Sequence, residues 1–381
     1  MVSLDTEEEL LERIDKGLKE AVEAKVGLDW SNSSRIKRQK FTNMALDHYL
    51  VDIEGEEPPV TRSWFKYGET QPLSPAGPTR LDFEQPDSPQ APIEPSISDQ
   101  ESEIDDQDQL DKPVDPTRTD TTPNQPIFDM TESDFINFFR DPDRHPSLEN
   151  HWNLPDLKFL KIYYEEHAPD DLRDVYLANV ELRIILSEAQ DAVQSIYDNR
   201  HKLYTEGEST DIPNIANAEY HERAGRTAVE LRLAMRRHTE LFEQSISPVH
   251  ACTDLIEDTL LVLQEMPQKD INRSHKQFLH QLEEFYDNVA WMLAASEMSE
   301  HTAKGPHSGL LKGVAKSNFN RIHDNYEDLI EEMKAECARK GLFPSPADFS
   351  TEQDEAAATI DEIMSLIDRP RSDPEGVSNN E

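Results

Sequence analysis

Four arginine–histidine pairs put a fixed positive charge and a proton-exchanging group close together along the chain. Arg140/His145, Arg144/His151, Arg232/His238 and Arg273/His280 each place a histidine after four to six intervening residues. Such a pair offers a fixed positive charge for a phosphate and a group that exchanges a proton near neutral pH. With 21 Arg and 13 His in 381 positions, roughly two such pairs arise by chance. Arg232/His238 and Arg273/His280 fall inside expected helices, where a cleft between helices could hold them. The commoner reading is a satisfied or exposed histidine on a polar helix face. Other routes to chemistry have no signature here: the sequence holds no GxGxxG, no Walker-type loop, no His-Glu-x-x-His and no paired Glu-x-x-His. His275 and His280 are five apart, about 500° of helical rotation, which grips one metal ion less well than a spacing of four. No cofactor and no metal site is expected.

Two basic runs stand out in an acidic chain. Ser33–Lys40 reads SSRIKRQK, and Arg35, Lys37, Arg38 and Lys40 could contact nucleic acid or an acidic partner. At about 100° per residue these four scatter around a helix and form no single stripe, which favours a solvated face that balances nearby acids. Arg232, Arg236, Arg237 and His238 give a later helix a positive segment, explained most simply by pairing with glutamates of neighbouring helices.

The stretch RIKRQKFTNMALDHYL followed by SWFKYG resembles the opening of the Panacea (SocA-like) antitoxin domain. That family carries a Lys-x-x-Lys-Leu helix and then a Trp-Lys-Tyr-Gly-Pro element. Lys37, Lys40 and Phe41 stand in the first motif, and Trp64, Lys66, Tyr67 and Gly68 in the second, with Glu69 where the family has proline. The resemblance implies a protein-binding role, including neutralisation of a toxin-like partner, with no chemistry of its own. Read without it, Trp64, Phe65 and Tyr67 are the aromatic core of a small domain.

The charge balance describes a solvent. Against 38 Lys and Arg stand 78 Asp and Glu, a formal net charge of −40. That repulsion opposes compaction in dilute buffer and is screened near 1 M salt, where the Debye length is about 3 Å. Abundant acids with 17 Lys against 21 Arg resemble the composition of haloarchaeal proteins; an acidic mesophile protein with solvated segments is the alternative. Cys252 and Cys337 match no metal spacing or disulfide framework, so both are expected as buried fillers in a reducing interior. The N-terminus has no basic stretch followed by an apolar run, and no apolar stretch approaches the ~20 residues that span a bilayer. Cytoplasm follows.

The fold class expected is mainly α, in four zones. Residues 1–69 form a small, mostly helical N-terminal module. Residues 70–126 form an acidic, Pro-rich linker with 11 of the chain's 25 prolines, 13 acids and three bases, a composition expected to stay disordered. Residues 127–345 form an elongated antiparallel helical bundle, and 346–381 a short helix and disordered tail. The zones up to 69, from 70 to 126 and beyond carry −5, −10 and −25, which sum to −40.

Apolar periodicity places the elements. The N-terminal helix runs from Glu7 to about Lys25, with Leu10, Leu11, Ile14, Leu18, Ala21 and Val22 inward. A second covers Arg35–Leu50, with Ile36, Phe41, Met44, Ala45 and Tyr49 inward, and Val60–Gly68 is a strand or ordered loop. At about 69 residues this zone is near the lower limit for its own core, so it docks on the remainder or dimerises. Thr131 caps Glu132–Phe139 with Asp134 completing a capping box, and Leu157–His167 follows. Long helices then cover 170–204, 215–266 with a kink or break near Pro248, 271–300 and 308–339, with Gly341 as a stop. A last helix covers 351–368.

The function expected from these stripes and the tether is protein–protein interaction, as an adaptor without an active site and with a protein partner. Arg35, Lys37, Arg38, Lys40, Trp64, Lys66 and Tyr67 are the candidate contacts, and a homo-oligomer is a further option. Two alternatives remain: a metal-independent RNase of the HEPN type using Arg232, His238, Arg273 and His280, and a nucleic-acid-binding regulator acting through residues 35–40.

Overall fold

Nearly all regular structure is helical in the computed structural model, which describes residues 3–50, 59–71, 127–199 and 219–344. Residues 72–126 of the linker expected over 70–126, and the tail expected over 346–381 with its helix over 351–368, lie outside the described residues, while Thr70 ends a strand and Gln71 is buried, so the linker does not begin at 70. Helix α1 (Leu4–Glu23) starts at Ser3, whose hydroxyl accepts from the Thr6 N–H, and its predicted stripe from Leu10 to Val22 is fully buried. That stripe meets α3 (Glu132–Arg140) so closely that a Cβ on Gly17 would lie 2.8 Å from Phe135. The capping box of α3 forms as its sequence predicts, the Asp134 carboxylate accepting the Thr131 N–H at 2.8 Å.

Helix α2 (Arg35–Leu50) departs from a simple amphipathic reading. Lys37, Gln39, Lys40, Thr42 and Asn43 are buried with Phe41, Met44 and Ala45, while Ile36 and Tyr49 are only half-buried. Neighbours cover it on several sides, so both its polar and its apolar faces are internal. The aromatic segment after it is a hairpin, β1 (Ser63–Phe65) and β2 (Gly68–Thr70), paired antiparallel with Phe65 opposite Gly68. The two-residue turn Lys66–Tyr67 leads into Gly68 at φ +86°, a left-handed conformation that glycine adopts at little cost.

Helices α4 (Leu148–His151), α5 (Asp156–His167) and α6 (Asp170–Asp198) lead into α7 (Tyr220–Arg237) and α8 (Ile246–Glu265). The break expected near Pro248 falls earlier, between His238 and Ser245. Pro248 instead sits in the first turn of α8, where a missing N–H costs nothing. The buried Glu297 carboxylate fixes that start, accepting the Gln244 and Ser245 N–H groups at 2.9 Å each. The third long helix divides into α9 (Arg273–Phe285), a π-helical turn (Tyr286–Ala290) and α10 (Trp291–Thr302). The fourth divides at Asp324–Asn325 into α11 (Ser308–His323) and α12 (Tyr326–Arg339).

Cross-helix pairs show the antiparallel order. Arg223 reaches Glu188 while Arg237 reaches Asp174, so α7 runs against α6. Gln190 bonds Glu283 and Lys276 bonds Gln194, so α9 does too. A single hydrophobic core joins the N-terminal residues to the helices that follow: Ile14, Phe41 and Trp64 share it with Phe135, Trp152, Tyr176 and Trp291. Of the two arrangements left open for residues 1–69, docking on the C-terminal helices is the one found. Cys252 and Cys337 are buried, and burial pushes both thiols up, Cys337 to about 11. Among the described residues no helix is long and apolar enough to cross a membrane.

One backbone contact ties the ends of this arrangement together. Arg62 and Lys304 form an antiparallel bridge, with N···O distances of 3.0 and 2.9 Å. Gly305 follows at φ +98°, and a Cβ there would stand 2.5 Å from the Val60 oxygen and 2.7 Å from the Thr61 Cα. Gly305→Ala is therefore expected to destabilise the fold by about 1–3 kcal/mol, read by denaturant unfolding. An unchanged midpoint and slope would show that the bridge is not held this tightly.

Candidate functional site

The charged residues of the N-terminal motifs converge on the hairpin and the helices around it. The π turn places Asp287 under the hairpin tip, where two cations and a hydroxyl meet its carboxylate. Lys66 Nζ lies 2.6 Å away and the Tyr67 hydroxyl donates at 2.9 Å. Arg183 of α6 reaches the second oxygen at 3.2 Å and stacks over the Tyr67 ring at 4.9 Å. Lys66 also donates to Asn288 at 2.7 Å, and Trp291 Nε1 donates to the Lys66 carbonyl at 2.8 Å. Burial opposes the Arg183 charge, but Asp287 and Tyr67 outweigh it and hold its pKa above the usual arginine value. The Tyr176 hydroxyl donates to the Phe65 carbonyl at 2.5 Å, so the turn and its approach are held from α6 and the π turn.

A second polar cluster underlies the other end of the hairpin. Lys40 is fully buried, and its Nζ donates to the Glu69 carbonyl at 2.7 Å, which also accepts from Asn43 at 2.5 Å. The Glu69 side chain faces Arg62 at 3.3 Å and Lys304 at 3.7 Å, and Arg62 pairs with Asp47 at 2.6 Å. Burial lowers the Lys40 pKa to about 7 against the opposing pull of Glu69. Burial likewise raises that of Glu69, with Arg62 pulling the other way.

The sequence's candidate contacts thus mostly face inward. Lys37 is buried 3.4 Å from Asp156, and Arg38 pairs with Asp15 at 2.7 Å beneath Trp30, its guanidinium 4.7 Å from that ring. Trp64 is buried against Tyr176, with ring centroids 5.1 Å apart. Arg35 is exposed. A contact surface made of Lys40 and Trp64 would require the hairpin to leave its seat, and adding Lys37 would break its pairing with Asp156.

The arginine–histidine pairs do not assemble one site. Arg232 is held by Thr253, Asp254 and Glu257, while His238, at the end of its helix, lies 3.7 Å from Glu240. Arg273 opens α9, and His280, two turns on, is exposed beside Glu284. Arg140 is exposed, and Arg144 lies over the Phe138 ring and donates to the Phe138 carbonyl. His145 and His151 meet edge to face at 4.8 Å. Among the described residues no group of three or more His, Cys, Asp or Glu is arranged to hold a metal ion.

Sequence reasoning missed a groove on the other side of α6. Tyr176 and Arg183 reach the hairpin and Asn179 accepts from Tyr286 of the π turn; Asp174, Leu177, Ala178 and Glu181 lie about half a turn away, on the opposite face. They floor an open groove of about 410 Å³ between α5 and α7, completed by Lys161, Glu165, Glu230, Leu233 and Arg237. Lys161 and Arg223 pair with Glu181 at 2.8 and 3.4 Å, so the apolar floor has a mixed-charge rim. Leu233 is 50% exposed, as is Val229 one turn before it. The sequence signal was a pair of aliphatics, four apart, on a helix otherwise rich in charge.

The model of one family, described as Domain of unknown function (DUF8098), matches residues 1–368. No curated protein and no solved structure matches the chain.

Asp287→Asn should cost about 3 kcal/mol or more, because Lys66 and Arg183 are left buried without a countercharge; denaturant unfolding followed by tryptophan fluorescence reads this. A loss below about 0.5 kcal/mol, the level of a surface change, would refute the lock. The Lys40 amine makes a separate prediction. Its folded pKa lies below the unfolded value, so its share of stability is complete above the unfolded pKa and is lost as pH falls through about 7. Relative to Lys40→Met, the wild-type chain should gain stability from pH 7 toward pH 10 with a slope of up to about 1.4 kcal/mol per pH unit. Parallel pH profiles for the two proteins would contradict a buried, neutral amine.

Proposed function

We propose that this chain, which belongs to the DUF8098 family, acts by binding another protein and has no active site of its own. The observation that carries this reading is the groove over α6: an apolar floor with half-exposed Leu233 beside it, ringed by charges of both signs. Protein interfaces have this anatomy, with an apolar centre and a polar rim. The occupant it suits is a helix that lays aliphatic side chains on Leu177, Ala178 and Leu233 and pairs its own mixed charges with the rim. The resemblance of residues 35–68 to the Panacea antitoxin opening extends the proposal to a toxin-like partner. In that extension Lys40, Lys66, Trp64 and Tyr67 hold the body together and do not themselves touch the partner. The working environment proposed is a salt-rich, reducing cytoplasm, where the acid excess is screened and both cysteines stay thiols.

Arg232 is engaged by Thr253, Asp254 and Glu257, His238 lies beside Glu240 and His280 beside Glu284, and these contacts lend the ribonuclease alternative no support. The basic run at 35–40 is engaged largely by internal partners, which leaves the regulator alternative similarly unsupported.

The test is affinity capture with the full chain from native lysate in molar salt, run beside Leu233→Asp and Val229→Asp/Leu233→Asp. A stoichiometric protein that the wild type captures and both variants lose, with unfolding midpoints unchanged, is the expected result. The variants should weaken capture at least tenfold, as burying an unpaired carboxylate at an interface costs more than about 1.4 kcal/mol. Capture that is indifferent to these substitutions, or RNA cleavage that Arg273→Ala abolishes, would overturn the proposal.

A further inference from the structure

Helix α11 is chemically unlike the rest of this chain. Between Glu300 and Asp324 there is no acidic residue, while Lys304, Lys312, Lys316 and Arg321 are all basic. Over the whole chain acids outnumber bases by 78 to 38. The outer face of α11 is apolar as well: Leu310 is 64% exposed and Val314, one turn on, 38%. Gly309 and Gly313 share that face, and a Cβ on either would meet nothing within 4 Å. Lys312 and Lys316 line the other edge of this outer face, across the two glycines and about 160° around the helix from Leu310 and Val314; they are exposed and enter no ion pair among the described residues. A face with two glycines at its centre, aliphatics along one edge and unpaired lysines along the other lets an opposing helix backbone approach closely.

The sequence contains one segment with the complementary pattern. Residues 351–368 carry Glu352, Asp354, Glu355, Asp361, Glu362 and Asp368 and no base. Their aliphatic positions, Ala356, Ile360, Ile363, Met364 and Ile367, recur at helical spacing. The family match runs through this segment and stops at its last residue. Length also fits. Helix α12 carries the chain onward from the end of α11, beside α8 and α9, over roughly 21 Å at 1.5 Å per residue. The seven residues 344–350 can span up to about 25 Å, enough to bring residue 351 back to α11.

We infer that the outer face of α11 is the docking site for the chain's own residues 351–368, held by Leu310 and Val314 against the Ile360–Ile367 stripe and by Lys312 and Lys316 against its acids. The inference does not depend on the groove reading. It predicts an acidic helix laid along the least acidic surface of the protein, where the net charge of the body repels it least.

Disulfide trapping in the full chain tests it, since Cys252 and Cys337 are buried. Val314→Cys is paired with Ile363→Cys, on the expected contact face, and separately with Ser365→Cys, about 200° away around a helix. Under mild oxidation the first pair should close intramolecularly more than about tenfold faster than the second, because docking raises its effective concentration and a bare tether raises both alike. Adding Lys312→Glu/Lys316→Glu should slow the first pair and leave the second unchanged. Equal rates for both pairs would overturn the inference. So would crosslinks that form only between molecules and scale with protein concentration, which would assign the face to a second copy. Indifference to the charge reversal would equally refute a site recognised by its lysines.

Discussion

The carboxylate of Asp287 is the point on which the arrangement of this protein depends. Two cations and one hydroxyl from two distant parts of the chain, Lys66 and Tyr67 at the hairpin tip and Arg183 on α6, converge on it in a largely dry site. Removing water makes the ionic contacts strong and makes any unpaired member costly, so the hairpin has one seat and little freedom to leave it. The π turn is what makes the seat available. Its wider turn inserts a residue into the helical ladder and turns Asp287 and Asn288 toward Lys66, while Trp291 just beyond it takes the Lys66 carbonyl.

Seating the hairpin organises what surrounds it. Tyr176 and Arg183 are fixed from the inside, which fixes the rotation of α6 about its axis. The opposite face of that helix then presents Leu177 and Ala178 as a floor between α5 and α7. A binding surface made from a rigid helix loses little entropy when it is occupied. The residues of the antitoxin-like motifs therefore bear on the groove through α6, without being part of it.

The acid excess is not spread evenly over this frame. Buried acids such as Glu7, Glu69, Asp287 and Glu297 each meet donors: Glu7 accepts from Thr61 and Glu297 from the start of α8. Lys37, Arg38, Lys66 and Arg183 are paired with acids inside or at the edge of the core. Many of the other cations pair with acids at the surface, as Lys16, Lys19, Arg226 and Arg237 do, and the lysines of α11 are conspicuous because so many others are already paired. A composition that looks like a uniform statement about solvent thus resolves into a neutralised interior, an acidic exterior and one basic, apolar helix face.

Periodicity alone determined most of the secondary structure, because the burial of an apolar stripe is a local requirement: α1, the capping box of α3, α5 and the cores of the long helices fall where the sequence puts them. It could not foresee the π turn, the break at His238–Ser245 or the burial of α2 on its polar side. Each of these depends on a partner more than 15 residues away, Lys66 for Asp287, Glu297 for Ser245 and Glu69 for Lys40. The motif residues Lys40, Trp64, Lys66 and Tyr67 were legible as special, since aromatic and basic residues cluster there against the trend of the chain. Whether they faced a partner or the core was not, because a lysine reads as a surface residue until its countercharge is located in space. The sequence determined which segments are helical and how much charge they carry; only the tertiary structure decided which of those charges are consumed inside and which face outward, because pairing is settled by distance and not by order along the chain.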